Sequence, residues 1–477
     1  MSEATAQPGA GYPSSECAAL ILAAGKSTRM RSRLPKPLHP LCGIPLTRHV
    51  IRACRNAGIS RVIVVVGHEA EAVRAGLGDD VEYALQAEQR GSGDAVQACY
   101  SLLKDYRGLT LVLAGDVPLL RPETLTALIQ RQMQTRAAAT LLTAFLDDAT
   151  GYGRIVRGAD GSVEKIVEHR DATPEERAIK EWNPSIYCFP AQDLFAALKE
   201  VRSDNIQGEF YLTDVIGILR QCGGRIEALP MEDSSEALGV NTRVELANAA
   251  SILRQRILNR LMLSGVTITD PATTYVDVDV QVGQDTTLEP QTFLHGSTVI
   301  GEGCSIGPFT RICDSRVGDN TTIVSSQVVR SQIGNGVRIG PFANIRPGCQ
   351  LADHVKIGDF VELKNATLAQ RVSASHLSYI GDAEVGEETN IGAGVVTCNY
   401  DGIQKHRTII GKGAFIGTHT TLIAPVTVGD GAFIAAGSPI NQDVPADSLA
   451  IAREKMSVKP DWAKRWREKK ERFHAGR

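Results

Sequence analysis

The stretch Val337–Ala366, VRIGPFANIRPGCQLADHVKIGDFVELKNA, carries a branched aliphatic residue at Ile339, Ile345, Leu351, Ile357 and Leu363, every sixth position. A helix repeats about every 3.6 residues and a strand about every two, so neither backbone alone wants this period. A parallel β-helix does. Each hexapeptide is one short strand and a turn, and three of them close a triangular coil of about 18 residues. Every aliphatic residue then falls in a stack of its own kind inside the coil. The spacing recurs at Ile300, Ile306 and Ile312, and at Ile410, Ile416, Leu422, Val428, Ile434 and Ile440. Accidental spacing in a β-sandwich would not hold phase over six consecutive repeats. A core of Ile, Val and Leu also accounts for an aromatic content of only 5%. Residues 374–383, ASHLSYIGDA, break the phase, which predicts a loop leaving the solenoid there. Loops on rigid coils are where chemistry sits.

Upstream the rhythm changes. AALILAAG (18–25), RVIVVVG (61–67), LTLVLAGD (109–116) and AATLLTAFL (138–146) read as buried strands. PLTRHVIRACRNAG (45–58) and SGDAVQACYSLL (92–103) read as the helices between them. This alternation predicts a mainly parallel α/β sheet with ligands at the carboxyl ends of its strands. Between the halves, Thr242 and Glu245 form a capping box ahead of a stripe at Leu246, Leu253, Ile257 and Leu261, with Gly265 as the stop. That predicts a connecting helix. The expected organisation is a disordered tail over 1–15, an α/β domain over 16–240, a linker helix over 241–264, a β-helix over 265–453 and a basic tail over 454–477.

Bulk properties narrow the function. At 477 residues the chain exceeds a single hydrophobic core. A net charge of −3 gives no global basic field, so no nucleic-acid partner is expected. The ten cysteines contain no C-x-x-C pair, which reads as reduced thiols in a cytosol. The N-terminal MSEATAQPGAGYPSSE has no apolar run, so a cytoplasmic protein without a membrane partner is expected.

The first strand runs into LAAGKSTRMRSRLPKPL (22–38). Gly25 permits a tight turn whose N–H groups can cradle phosphate, and Arg29 and Lys36 bring two cations to the same strand end. Polyphosphate needs that combination, because donors position it and cations offset the charge of a departing group. LQAEQRGSGDA (85–95) offers amides and a Gly-rich turn for a base and ribose, and Asp116 ends a strand as a carboxylate for Mg²⁺. In the C-terminal half His376 is the candidate base, with Tyr379, Glu362, Lys364, Asn399 and Tyr400 nearby in sequence and Glu362 as the carboxylate that orients it. Cys398 is expected to be a buried packing residue rather than a covalent intermediate.

The series L-A-A-G-K-x-T-R-M…L-P-K, G-x-G-x-A, G-D-V-P-L and G-Y-G-R resembles sugar-phosphate nucleotidyltransferases. Joined to hexapeptide repeats, it resembles the bifunctional N-acetylglucosamine-1-phosphate uridyltransferase/glucosamine-1-phosphate acetyltransferases over about residues 17–455. The resemblance implies a Rossmann-like nucleotidyltransferase domain, a linker helix and a left-handed β-helix that forms a homotrimer. It implies acetyl transfer from acetyl-CoA to glucosamine-1-phosphate, then uridyl transfer from UTP to N-acetylglucosamine-1-phosphate with Mg²⁺. The product would supply peptidoglycan and lipopolysaccharide precursors. Carried over by motif, Leu22, Ala23, Ala24, Gly25, Lys36, Gln86, Gly91 and Ser92 bind the uridyl group, and Arg29 and Lys36 face the pyrophosphate. Asp116 and Asn241 hold the metal, with Asn241 also on the nucleotide-sugar, and Gly153, Glu168 and Asn183 contact the sugar. His376 is the catalytic base, and Arg346, Lys364, Tyr379 and Asn390 bind the acceptor sugar phosphate. Ala393, Asn399, Tyr400, Thr418, Ala436 and Arg453 bind acetyl-CoA. The basic tail, with Trp462 and Trp466 on one helical face, is expected to pack on the trimer with its cations near the CoA phosphates.

Besides Thr418, which stands where Ser is common, four positions depart from the family pattern. Ser27 stands for Gly, Ala114 for an aromatic residue, and Pro184-Ser185 for Thr-Gly, the last bearing on sugar selectivity. The alternative readings are transfer to another sugar, a metal site on His354, His376 or His406, and a trimerisation scaffold without catalysis. The histidines lack close ligand spacing, and the acetyl-transfer residues are intact.

Overall fold

The structure, a computed structural model, describes residues 17–26 and 28–475; the N-terminal tail and Ser27 lie outside the described residues. The chain divides into two compact units between Arg256 and Ile257.

The first unit is built on a ten-stranded sheet. Its strands are β1 (Cys17–Leu22), β2 (Arg61–Val66), β3 (Glu82–Leu85), β4 (Leu109–Ala114), β5 (Ala139–Phe145), β6 (Gly153–Arg157), β7 (Val163–Val167), β8 (Glu181–Asn183), β9 (Tyr187–Pro190) and β10 (Ile226–Pro230). They lie in the order β3-β2-β1-β4-β9-β5-β8-β6-β7, with β10 on β5. The pairs among β1 to β4 are parallel, and those of β9, β8, β6 and β7 are antiparallel. The expectation of a mainly parallel sheet therefore holds for one half only. The strands quoted above are β1, β2, β4 and β5; β3 and the short strands of the other half carry no comparable aliphatic run.

Successive residues of β1 feed opposite cores. Ala18 and Leu20 pack with Ile63, Val65 and Val112, while Cys17, Ala19 and Ile21 pack with Val62, Val64, Leu111 and Leu113. A strand covered on both faces needs this unbroken apolar run. The chain steps outward from β1 to β3 and returns to place β4 on the other side of β1. The connections that follow β1 and β4 thus run to opposite sides of the sheet, a switch point of the kind that leaves a crevice at the strand ends. The helix Arg243–Leu263 begins with both capping-box bonds: the Glu245 N–H donates to Thr242 Oγ1 at 3.2 Å, and the Thr242 N–H donates to Glu245 Oε2 at 2.8 Å. Its first turns pack Leu246, Ala249 and Leu253 against Leu41, Leu46 and Leu119.

The second unit is the solenoid, a left-handed β-helix of parallel strands in sheets of 11 and 17. Ile339, Ile345, Leu351, Ile357 and Leu363 are all buried, as are Ile410, Ile416, Leu422, Val428, Ile434 and Ile440. Each buried aliphatic side chain stabilises the coil by roughly 1.5–3 kcal/mol.

The predicted loop at 374–383 is absent. Ser373–His376 and Tyr379–Val385 are strands in continuous register, Ala374 on Ile357 and Ile380 on Leu363. The slip in phase is a coil one residue short of 18, because the partners Leu363 and Ile380 are 17 apart. The loop lies one coil later. Ala383 pairs with Thr408, 25 residues on, and the extra residues form a hairpin over 399–407 in which Tyr400 bridges Lys405. Near the C-terminus, helix Trp462–Ala475 leaves Trp462 and Trp466 about half exposed.

Candidate active sites

In the first unit, register aligns the strand ends. Leu22 pairs with Val65 and with Ala114, and the Gly115 N–H donates to the Leu22 carbonyl at 2.9 Å. The residues after both strands therefore emerge side by side. They line a cavity of about 190 Å³ bounded by Leu22, Ala23, Gly25, Lys36, Ala114 and Asp116. Ala24 is buried, and its carbonyl accepts the His68 N–H at 3.4 Å.

At its rim Lys36 Nζ donates to Asp116 Oδ2 and, at 3.0 Å, to Asn241 Oδ1. Arg29 Nη2 reaches the same Asn241 oxygen at 2.9 Å. Two hard oxygens converging on one cationic point fit a Mg²⁺ ion that takes its other ligands from water and phosphate. Among the described residues no group of three or more His, Cys, Asp or Glu side chains could hold a metal.

The amide loop sits beside this centre. Gln86 is buried and donates to the Gly91 carbonyl at 3.1 Å and to Asp94 Oδ2 at 2.9 Å. Gly91 has φ of 120°, and a Cβ there would lie 2.5 Å from the Phe210 carbonyl oxygen, so the turn requires glycine. Ser92 Oγ accepts the Leu212 N–H at 3.0 Å.

The expected sugar contacts are gathered by strand pairing. Asn183 is opposite Gly153, and Thr213 Oγ1 donates to Glu168 at 3.2 Å. Burial raises the Glu168 carboxyl above its ordinary pKa, the Thr213 bond opposing and the charges of Asp171, Asp214 and Glu209 adding to the rise. Asn183 is buried and donates to Tyr187 Oη at 2.6 Å. Ser185 holds φ of 60°, the conformation glycine adopts freely, and its N–H donates to Asn183 Oδ1 at 3.1 Å. Ser185 thus sits in a left-handed turn of the kind that favours glycine. Tyr152, Thr213 and Tyr187 join this site unannounced by the sequence reading. Tyr152 titrates above its usual range through burial first, then the charges of Glu245 and Asp116, opposed by Arg29.

In the second unit, Glu362, Lys364 and Tyr379 lie on strands stacked coil on coil, and Arg346 directly follows the strand Asn344–Ile345 of the same stack. Glu362 does not orient His376: its Oε1 accepts Arg346 Nη1 at 2.7 Å. His376 Nδ1 instead meets Asp359 Oδ1 at 2.6 Å. Lys405, also unforeseen, sits beside Lys364, whose contact and like charge lower its pKa while Asp382 and Tyr379 oppose. Paired ammonium groups make an anion site.

Asn399 Nδ2 donates to Asp382 Oδ2 and lies 3.5 Å from Tyr379 Oη, so Asn399 belongs to the Tyr379 side of the coil. Tyr400 Oη donates within its own hairpin to the Gly402 carbonyl at 2.7 Å. Cys398 is exposed, against the expectation of a buried packing role. It ends the strand Val396–Cys398, whose outer side faces solvent ahead of the hairpin.

The expected acetyl-CoA residues form a ladder. Gly394 N–H donates to the His376 carbonyl at 3.3 Å, His419 N–H to Ala393 at 2.7 Å, Gly437 N–H to Thr418 at 2.8 Å, and Arg453 Nη1 to Ala436 at 2.9 Å. One solenoid edge therefore leads from His376 through Ala393, Thr418 and Ala436 to Arg453. Asn390 stands apart. It pairs with Ser373 and Phe415, in a different sheet from Arg346, Lys364 and Tyr379.

Comparison with known proteins matches residues 19–212 to the MobA-like NTP transferase domain and residues 330–365 to the bacterial transferase hexapeptide (six repeats). Bifunctional protein GlmU of Brevibacillus brevis is 50% identical over 93% of this chain and 96% of its own. That of a Geobacillus species is 52% identical over 94% and 97%, and that of Acetivibrio thermocellus 49% over 93% and 96%. The chain belongs to the GlmU family. Membership of the GlmU family accounts for two unrelated architectures in one chain, each with a polar constellation of its own.

Proposed function

We propose that the chain makes UDP-N-acetylglucosamine in two transfers. In the second unit an acetyl group passes from acetyl-CoA to glucosamine-1-phosphate. In the first, UTP gives its uridylyl group to N-acetylglucosamine-1-phosphate and pyrophosphate leaves. The uridyl step belongs to residues 16–240, the connecting helix to 241–264 and the acetyl step to 265–453. A homotrimer is the working assembly, with the tail over 454–477 packed on it. Among the described residues no helix is long and apolar enough to cross a membrane.

The observation that carries this reading is the continuous edge from His376 to Arg453, which at about 4.8 Å per stacked coil gives an extended thioester cofactor a track with its reactive end at the imidazole. His376 removes a proton from the acceptor ammonium. The amine attacks the thioester carbonyl, the C–N bond forms, the C–S bond breaks, and the CoA sulfur leaves to be protonated. Arg346, Lys364 and Tyr379 hold the sugar phosphate.

In the uridyl site no protein nucleophile is required, since positioning and charge stabilisation suffice for phosphoryl transfer. The sugar phosphate oxygen attacks the α-phosphorus in line. Lys36 and Arg29 offset the charge of the departing pyrophosphate, while Gly153, Glu168 and Asn183 seat the sugar. Mg²⁺ held by Asp116 and Asn241 would supply charge neutralisation at the phosphates.

The test is to incubate the protein with glucosamine-1-phosphate, UTP and Mg²⁺, with and without acetyl-CoA, and to weigh the nucleotide sugar. UDP-N-acetylglucosamine formed only with acetyl-CoA is the expected result. UDP-glucosamine forming freely without it would overturn the sugar assignment and the order.

A further inference from the structure

We infer that Asp359 is a positioning residue for the proton acceptor of acetyl transfer, an inference that rests on the reading of His376 above. The strand Ser373–His376 is flanked by Lys356–Asp359 on one coil and Asn390–Ile391 on the next, with Asp359 directly opposite His376. The close stacking at this level requires glycine: a Cβ on Gly358 would lie 1.9 Å from the Ser375 carbonyl oxygen. That approach brings Asp359 Oδ1 to 2.6 Å from His376 Nδ1. On the other side the chain offers Ala393 and Gly394, neither of them ionisable.

The imidazole needs such a partner. Its side chain is 61% exposed and stands at a corner, just before Leu377 turns the chain with φ of 49°. A carboxylate that accepts Nδ1–H fixes the tautomer, leaving the Nε2 lone pair as the base, and keeps the ring from rotating into solvent. In this role Asp359 acts through His376. Glu362, three residues along, is held by Arg346 and serves the acceptor side of the coil.

The experiment uses the full chain and follows CoA thiol release for Asp359→Ala, Asp359→Asn and His376→Ala. Asp359→Ala should lower kcat for acetyl transfer roughly tenfold or more with KM for both substrates little changed, because a base loses effect when its orientation is lost. Asp359→Asn, whose Oδ1 still accepts Nδ1–H, should recover most of that loss. Uridyl transfer by the same preparations should be unaltered. In ¹⁵N NMR, the His376 ring of the wild type should show the Nδ1–H tautomer, and that of Asp359→Ala a mixture of both. Unchanged kcat in Asp359→Ala, with His376→Ala inactive, overturns the positioning role alone. Retained acetyl transfer in His376→Ala overturns the assignment on which it rests.

Discussion

Lys36 occupies the point on which Asp116 and Asn241 converge, so one ammonium meets both of the oxygens that fit a divalent cation. The acetyl step proposed for the second unit draws on Arg346 and Lys364 for the acceptor phosphate and His376 for the proton, and needs no divalent cation. Chelation with EDTA should therefore abolish uridyl transfer and leave acetyl transfer intact, as read by pyrophosphate and thiol release from one preparation. Glu168 makes a separate prediction. Its folded-state pKa is raised, chiefly by burial, so ionising it costs stability. The cost begins above the unfolded value, about 4.3, and grows until pH passes the raised folded value. Glu168→Gln should thus melt higher than wild type at neutral pH, the gap closing in acid, while losing affinity for the sugar phosphate. Thermal melts across pH check the first and uridyl-transfer KM the second. At this scale the motif residues Leu22, Ala23, Gly25, Lys36 and Asp116 line one cavity, because Gly turns and strand-end charges are local features. Asp359 was not legible. An ideal coil of 18 residues would set Gly358 beside His376, and only the 17-residue coil sets Asp359 there.

The hairpin over 399–407 shows why element boundaries resist a periodic reading. Counting aliphatic residues registers any change of phase, and a coil shortened by one residue gives the same signal as an insertion. The insertion itself was visible in other terms: NYDG is a turn sequence, and Ile403, the only aliphatic residue of the hairpin, is 91% exposed and so stands outside the stack. The hairpin's contribution is Lys405, carried to Lys364 on the coil face. Two ammonium groups held close repel, and because Asp382 beside them offsets only part of that repulsion, a further anion is favoured there. Lys405→Met should raise KM for glucosamine-1-phosphate roughly tenfold, the loss of one charged hydrogen bond, and leave KM for acetyl-CoA unchanged. Initial rates with each substrate varied in turn measure this. Equal effects on both substrates would place Lys405 in the general fold of the hairpin instead.

For the whole molecule, the decisive feature is what one chain fails to gather. Asn390 heads a column of paired positions, Phe415, Phe433 and Leu449, on a sheet apart from Arg346, Lys364 and Tyr379. The two Phe rings stack at 4.5 Å with more than two fifths of their surface open, and Leu449 is 62% exposed. An apolar column beside an unjoined site residue is what a closed rotational assembly would cover and complete. If Asn390 of one copy serves the phosphate site of the next, Arg346→Ala and Asn390→Ala chains should each be inactive in acetyl transfer yet complement one another. Random 1:1 mixing, by co-expression or co-refolding, draws intact Arg346 from one chain and intact Asn390 from its neighbour at about a quarter of the sites. Recovery near that fraction, proportional to the population of mixed assemblies, would establish the shared site. Silent mixtures that are fully assembled would mean that each chain builds its acetyl site alone, with the apolar column serving assembly only.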